Sequence, residues 1–351
     1  MRQVPIEIAL VLQPNVQLAG VYGLTDLFRF ADELTRNRLG STAPLLRTTH
    51  FALNETGTLE RTYDTAPGTD STPTVIIVPP CHSPPDRDDH TTALAQWLRT
   101  HGDAGVTLAS VCGGTFLLAE TGLLDGRRAT THWVFAHELA ARFPAIIVDT
   151  NPLVIDDGEI LTAGGMTAWA DLGLTLVDRL LGSVAMIETS RFMMIDPPGR
   201  EQRLYSPFQP NLSHGDEAVL KVQNRLEADA AMALAVTGMA EVAGLQERTF
   251  VRRFLKATGL NPNDYQQHLR VEKARALLEA TVQPIDTIAW AVGYSDPASF
   301  RRVFTRIAGL SPGEYRKRFA RARRSPRPAR SGIGVGAQAD RSGPAVASSE
   351  R

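Results

Sequence analysis

The sequence predicts two domains of different class: an α/β N-terminal domain, a parallel sheet with helices on both faces, and an all-α C-terminal domain with two helix-turn-helix units. Three observations carry this. Short β-rich runs alternate with amphipathic helical stretches between residues 5 and 190. A stretch at 243–265 recurs at 292–315. Charge also divides the chain: residues 1–213 carry 15 Lys+Arg against 24 Asp+Glu, whereas 214–351 carry 22 against 14. At 351 residues the chain is too long for one ordinary core. The boundaries expected are a first domain at 5–195, a linker at 196–216, a second domain at 217–320 and a disordered basic tail at 323–351.

In the first domain, strands are expected at 6–12, 74–78, 106–110 and 160–162, and helices at 20–37, 90–99, 114–121, 133–142 and 167–181. That alternation argues for a parallel sheet covered on both faces. From Val106 the chain runs as a buried strand into Cys112, Gly113, Gly114 and a helix. Such an elbow strains the cysteine and presents it at the sheet's C-terminal edge. A helix N-terminus there favours thiolate, lowering the pKa from its usual value of about 8.5. Further along, 122–133 supplies His132. Cys81, after Pro79-Pro80, ends another strand.

Each copy of the repeat has a short apolar helix (239–243, 285–292), a turn at Gly244 or Gly293, and a basic helix (247–258, 296–307). Those are the parts of a helix-turn-helix. Phe250, Phe254, Gly259, Leu260, Pro262 and Tyr265 recur as Phe300, Phe304, Gly309, Leu310, Pro312 and Tyr315. Phenylalanines at i and i+4 share one helix face and should be buried. Arg248, Val251 and Arg252 then turn outward in the first copy, and Ser299, Arg301, Arg302 and Arg306 in the second. Between the copies a long helix at 262–280 holds the two basic helices apart; helices entering successive major grooves must sit roughly 34 Å apart.

Composition excludes several classes. Two cysteines, Cys81 and Cys112, make no disulfide scaffold and no CxxC zinc site. No metal or cofactor is expected. No run approaches the roughly twenty apolar residues of a membrane span, and the start lacks a secretory signal, so a cytoplasmic protein is expected. The basic C-terminal half should face phosphates, and the acidic N-terminal half should stay clear of them.

Residues 220–319 resemble the DNA-binding domain of the AraC/XylS family of transcription regulators, on the run Gly293-Tyr294-Ser295-Asp296 with Phe300, Phe304, Gly309, Ser311-Pro312 and Tyr315-Arg316. The resemblance implies base-facing positions at Arg248, Val251, Arg252, Ser299 and Arg302, where arginine pairs with guanine. Lys256, Arg301 and Arg306 are expected as phosphate contacts. Residues 5–190 resemble the ThiJ/PfpI group of the class I glutamine amidotransferase-like superfamily, most specifically from Cys112 to Trp133. That implies a flavodoxin-like fold, a nucleophile-position cysteine at Cys112, and an acid contacting it at Asp26. Hydrolytic members place histidine after the nucleophile; here Gly113 follows.

The reading is a sequence-specific DNA-binding transcription regulator, not an enzyme, that senses a small metabolite in a pocket formed by Asp26, Cys112, Gly113 and His132. Its expected partners are promoter DNA, an effector and RNA polymerase, with a homodimer implied by resemblance alone. Two alternatives are a cysteine hydrolase or amidase fused to a DNA-binding module, which requires a thiolate with a positioned base, and a redox sensor at Cys112.

Overall fold

Where the chain can hide its apolar runs decides the architecture. The computed structural model describes residues 4–69, 71–229 and 234–320; the expected tail at 323–351 lies outside the described residues. The strands are β1 (Ile6–Leu12), β2 (Leu46–Leu53), β3 (Leu59–Asp64), β4 (Pro73–Val78), β5 (Thr107–Val111), β6 (Arg128–Ala129), β7 (Ile147–Val148), β8 (Val154–Asp156) and β9 (Ile160–Ala163). Seven form one sheet in the order β3-β2-β1-β4-β5-β9-β8, and β6 pairs with β7. The five inner strands run parallel, and the edge strands β3 and β8 antiparallel.

Helices α1 (Leu18–Leu39), α2 (Asp89–Asp103), α3 (Gly114–Glu120), α4 (Ala136–Arg142), α5 (Trp169–Leu181) and α6 (Ser183–Met193) cover both faces. Because side chains alternate along a strand, Ile8 and Leu10 of β1 enter the core beneath α1, α5 and α6, while Ala9 enters the core beneath α2 and α3. The expected parallel sheet is therefore present, with all four predicted strands in it.

Strands β2, β3 and β8 and helix α6 lie outside those expectations. In β2 the polar run Arg47-Thr48-Thr49-His50 is buried, which no hydrophobic periodicity announces. Its partners come from elsewhere: Arg47 donates to Glu7 at 3.1 Å, to Asp64 at 2.5 and 2.9 Å, and to Ser71 at 2.7 Å. A buried charge is tolerable only when paired and hydrogen-bonded, and here both ends of the Arg47–Glu7 pair are fully enclosed.

The C-terminal domain comprises α7 (Glu217–Ala228), α8 (Val236–Ala243), α9 (Glu247–Thr258), α10 (Pro262–Ala280), α11 (Ile285–Ala291), α12 (Pro297–Ala308) and α13 (Pro312–Phe319). The sequence repeat is a structural repeat. Phe250 meets Phe254 at 5.3 Å and Phe254 meets Tyr265 edge-on at 5.3 Å; Phe300 meets Phe304 at 5.6 Å and Phe304 meets Tyr315 edge-on at 5.5 Å. Tyr265 donates to Glu227 and Tyr315 to Glu279. Helices α9 and α12 both stop at glycine in the left-handed region, Gly259 (φ 74°) and Gly309 (φ 76°), a conformation that carries a steric penalty for other residues. Helix α10 serves both halves: Tyr265 lies in one core, and Val271, Ala274 and Leu278 in the other.

The segment 196–216, expected as a linker, is largely irregular but docked along much of its length. Arg200 pairs with Asp171, Gln202 is buried against the N-terminal domain, Phe208 packs on Tyr265, and Asp216 caps α7 while pairing with Arg253.

His50 yields a test of the buried polar strand. Its Nε2 lies 2.8 Å from Thr25 Oγ1, and its ring stacks on Tyr63 at 4.5 Å. Burial lowers its pKa from 6.5 to about 4, so the unfolded chain takes up a proton that the folded chain resists. The stabilisation is complete above about pH 6.5 and is lost as pH falls toward 4. Between pH 7 and pH 4, wild type should lose up to about 3 kcal/mol more unfolding free energy than His50→Gln, measured by urea titration. Equal losses would assign the acid sensitivity to other groups.

Candidate ligand pocket and nucleic-acid interface

Strand β5 delivers Cys112 into the elbow that the sequence leads one to expect. Cys112 has φ 55°, a left-handed conformation that is unfavourable for a side-chain-bearing residue. Three bonds hold it there. Its amide donates to Ala163 O at 2.7 Å, and its carbonyl accepts from Thr131 Oγ1 at 2.7 Å and the Thr115 amide at 3.3 Å.

The next two positions have no room for side chains. A Cβ at Gly113 would stand 2.6 Å from Cys81 Sγ, and one at Gly114 would stand 2.6 Å from Pro79 O. The histidine of the hydrolytic arrangement therefore does not fit after Cys112 while Cys81 keeps its place.

Two expectations about the cysteine need correction. Cys112 is fully buried rather than presented at the sheet edge. Its thiol is also not turned to thiolate by the helix N-terminus. Burial pushes its pKa up to about 11, outweighing the backbone amides of Gly113, Gly165 and His132 that favour the anion. Cys81 is pushed up to about 12 by burial and by the neighbouring Cys112. At neutral pH both are thiols, and the Cys112 sulfur rests 3.7 Å from Met166 Sδ.

Above Met166 opens a cavity of about 240 Å³, lined by His132, Trp133, Leu153, residues 164–168, Arg200, Gln202 and Tyr205. Of the four pocket residues expected from sequence, only His132 lines it. Cys112 is buried against Met166, and Gly113 packs beside Cys81; neither lines the cavity. Asp26 is exposed on the outer face of α1. The helix phase buries Leu24, Thr25, Leu27 and Phe28 instead, and Trp169 fills the space beside Gly23, where a Cβ would stand 2.5 Å from the indole.

His132 caps the turn that follows it, its Nδ1 accepting from the Val134 amide at 3.2 Å, so the neutral ring carries its proton on Nε2. Burial lowers its pKa and keeps it neutral. The cavity thus offers aromatic and aliphatic walls with a few donors. Arg200 contributes a guanidinium already paired with buried Asp171 at 2.9 Å. Sequence reasoning missed Trp133, Met166, Arg200, Gln202 and Tyr205; the one available signal was the Gly164-Gly165 pair ending β9.

On the basic helices, Arg248, Arg252, Lys256, Arg301, Arg302 and Arg306 are exposed, whereas Val251 and Ser299 are half-buried. Val251 packs against the core containing Phe250 and Phe254. Four of these residues hold intramolecular partners. Arg301 pairs with Asp286, Arg306 donates to Gln267 at 2.7 Å and pairs with Asp264 at 3.3 Å, and Arg302 donates to Ser299 Oγ at 2.7 Å. Ser299 in turn donates to Asp296, the N-cap of α12. Among the described residues, no group of three or more His, Cys, Asp or Glu is arranged to hold a metal ion, and no helix is long and apolar enough to cross a membrane.

Comparison with known proteins agrees with this division. Residues 239–318 match the helix-turn-helix domain model, and residues 58–179 match the DJ-1/PfpI family. The HTH-type transcriptional regulator CdhR of Pseudomonas aeruginosa is 32% identical over 229 residues, 64% of this chain and 67% of that protein. The HTH-type transcriptional regulator GlxA of Rhizobium meliloti is 31% identical over 231 residues, 65% of this chain and 70% of its own. An isonitrile hydratase of Pseudomonas putida is 35% identical over 114 residues, 32% of this chain and 44% of the enzyme. The two regulators match across most of their length and the enzyme over less than half, so the chain belongs to the DNA-binding HTH-type transcriptional regulators that join a DJ-1/PfpI domain to an AraC-type helix-turn-helix domain.

Proposed function

We propose that this regulator senses a small metabolite in the cavity above Met166 and reads two adjacent half-sites with α9 and α12. The observation that carries the reading is the pairing of a formed, largely apolar cavity with two matched helices whose outer faces hold arginine. Ligand sites of this kind combine apolar walls with a few placed polar groups, here Arg200, Gln202, Tyr205 and the Nε2–H of His132. Arg248, Val251, Arg252, Ser299 and Arg302 face the bases, and Lys256, Arg301 and Arg306 face phosphates. For Arg301 this means exchanging Asp286 for DNA, and for Arg306 exchanging Gln267 and Asp264. In this reading the protein acts in the cytoplasm as a homodimer, with RNA polymerase as a further partner on its promoter.

A second reading, hydrolytic or hydratase chemistry at Cys112, draws on the isonitrile hydratase similarity. The buried neutral thiol and the filled space at Gly113 weigh against it. The same burial weighs against redox sensing, because oxidation follows thiolate character and exposure.

Three outcomes test these assignments. Arg302→Ala should lose about 1–3 kcal/mol of discrimination at one base pair, read by selecting duplexes from a random library with both proteins. Identical selected motifs would move the recognition face elsewhere. Cys81 and Cys112 should both resist a thiol reagent in the folded protein at pH 7.5 and both react in urea. Rapid labelling of Cys112 in the folded chain would revive the enzymatic and redox readings. Finally, Met166→Trp should fill the cavity and leave DNA affinity intact, while promoter occupancy in the host stops responding to growth conditions. Occupancy that still tracks conditions would place the effector site elsewhere.

A further inference from the structure

The cavity and the second helix-turn-helix share one piece of chain. Residues 200–206 are held by the N-terminal domain on one side and by the C-terminal domain on the other. On the first side Arg200 pairs with Asp171. The Gln202 side chain donates to Thr130 Oγ1 at 2.9 Å and Thr131 O at 3.0 Å, and accepts from the Trp133 amide at 3.2 Å. On the second side Arg203 donates to Arg306 O at 3.0 Å, at the end of α12. Arg275 of α10 donates to Arg203 O at 2.8 Å and Ser206 O at 2.6 Å. Leu204 closes over Gly309, where a Cβ would stand 2.8 Å from it.

Tyr205 belongs to both sides. It lines the cavity, accepts from Arg318 Nη2 at 2.6 Å, and meets the Phe319 ring at 5.8 Å. Three of the cavity's wall residues, Arg200, Gln202 and Tyr205, are therefore strap residues.

We propose that residues 200–206 form a coupling strap through which occupancy of the cavity sets the position of α12 and α13. The proposal rests on the sensing assignment above and gives it a route. A ligand shifts a conformational equilibrium only through contacts that differ between the states. A molecule seated against Gln202 and Tyr205 touches the strap in its docked state and loses those contacts when the strap moves. Coupling of this kind is reciprocal, so loosening either end is felt at the other.

Amide hydrogen exchange on the full chain, without DNA or added ligand, tests the coupling directly. Gln202→Ala should speed exchange in α13 and the last turn of α12 at least fivefold while leaving α9 unchanged. Arg318→Ala, a change at an exposed side chain, should speed exchange at residues 130–133 in the other domain. It also keeps the test decisive if Gln202→Ala fails to fold. Effects confined to the substituted residue's own domain would overturn the proposal. Because no effector is present, that result would strike the strap alone, whereas an unfilled sensing role would show only in the Met166→Trp occupancy experiment.

Discussion

The chain that joins the two domains is seated on the first of them by one buried side-chain amide, beside the Arg200–Asp171 pair. Gln202 is buried, and its amide group reaches Thr130, Thr131, Pro152 and Trp133 at once. Leaving such a group unpaired in the interior would cost about 1–3 kcal/mol, so the chain at 200–206 is fixed where the amide is satisfied. The site it enters is tight: a Cβ on Gly164 would stand 2.0 Å from its nitrogen. With Gln202 seated, Arg203 and Tyr205 are aimed at the opposite domain. One wall of the cavity and the contacts to the second helix-turn-helix are thus carried by the same short stretch.

Much of the architecture was legible because local patterns carry it. The apolar run of β1, the elbow at Cys112 and the repeated phenylalanine, glycine and proline positions each state their structure within a few residues. What stayed hidden depends on partners far away in sequence. Arg47 and His50 carry no apolar pattern, and their burial is explained only by Glu7, Asp64 and Thr25 beside them. The cavity combines 132–133, 164–168 and 200–205, and no spacing rule joins those stretches. Asp26 was assigned by likeness to a family pattern, but the rotation of α1 decides which residue faces inward, and it favours Thr25.

The two helix-turn-helix halves share a plan but differ in how their cations are held. In α12, Arg301, Arg302 and Arg306 are each engaged with neighbouring side chains. In α9, Arg248 and Arg252 are exposed, and Arg253 is tied to Asp216. Surface ion pairs contribute little to stability, so exchanging them for phosphate involves a modest loss. The second half also contacts the strap, through Arg306 O, Gly309 and Arg318.

The contact between Gly113 and Cys81 couples two positions that lie far apart in the sequence. A Cβ at 113 would stand 2.6 Å from the Cys81 sulfur and 3.3 Å from the Cys81 carbonyl oxygen, and a backbone bridge to Val16 holds the main chain of Cys81. Histidine at 113 therefore requires the Cys81 side chain to turn away or residue 81 to become smaller, so the effect of a substitution at one position depends on the residue at the other.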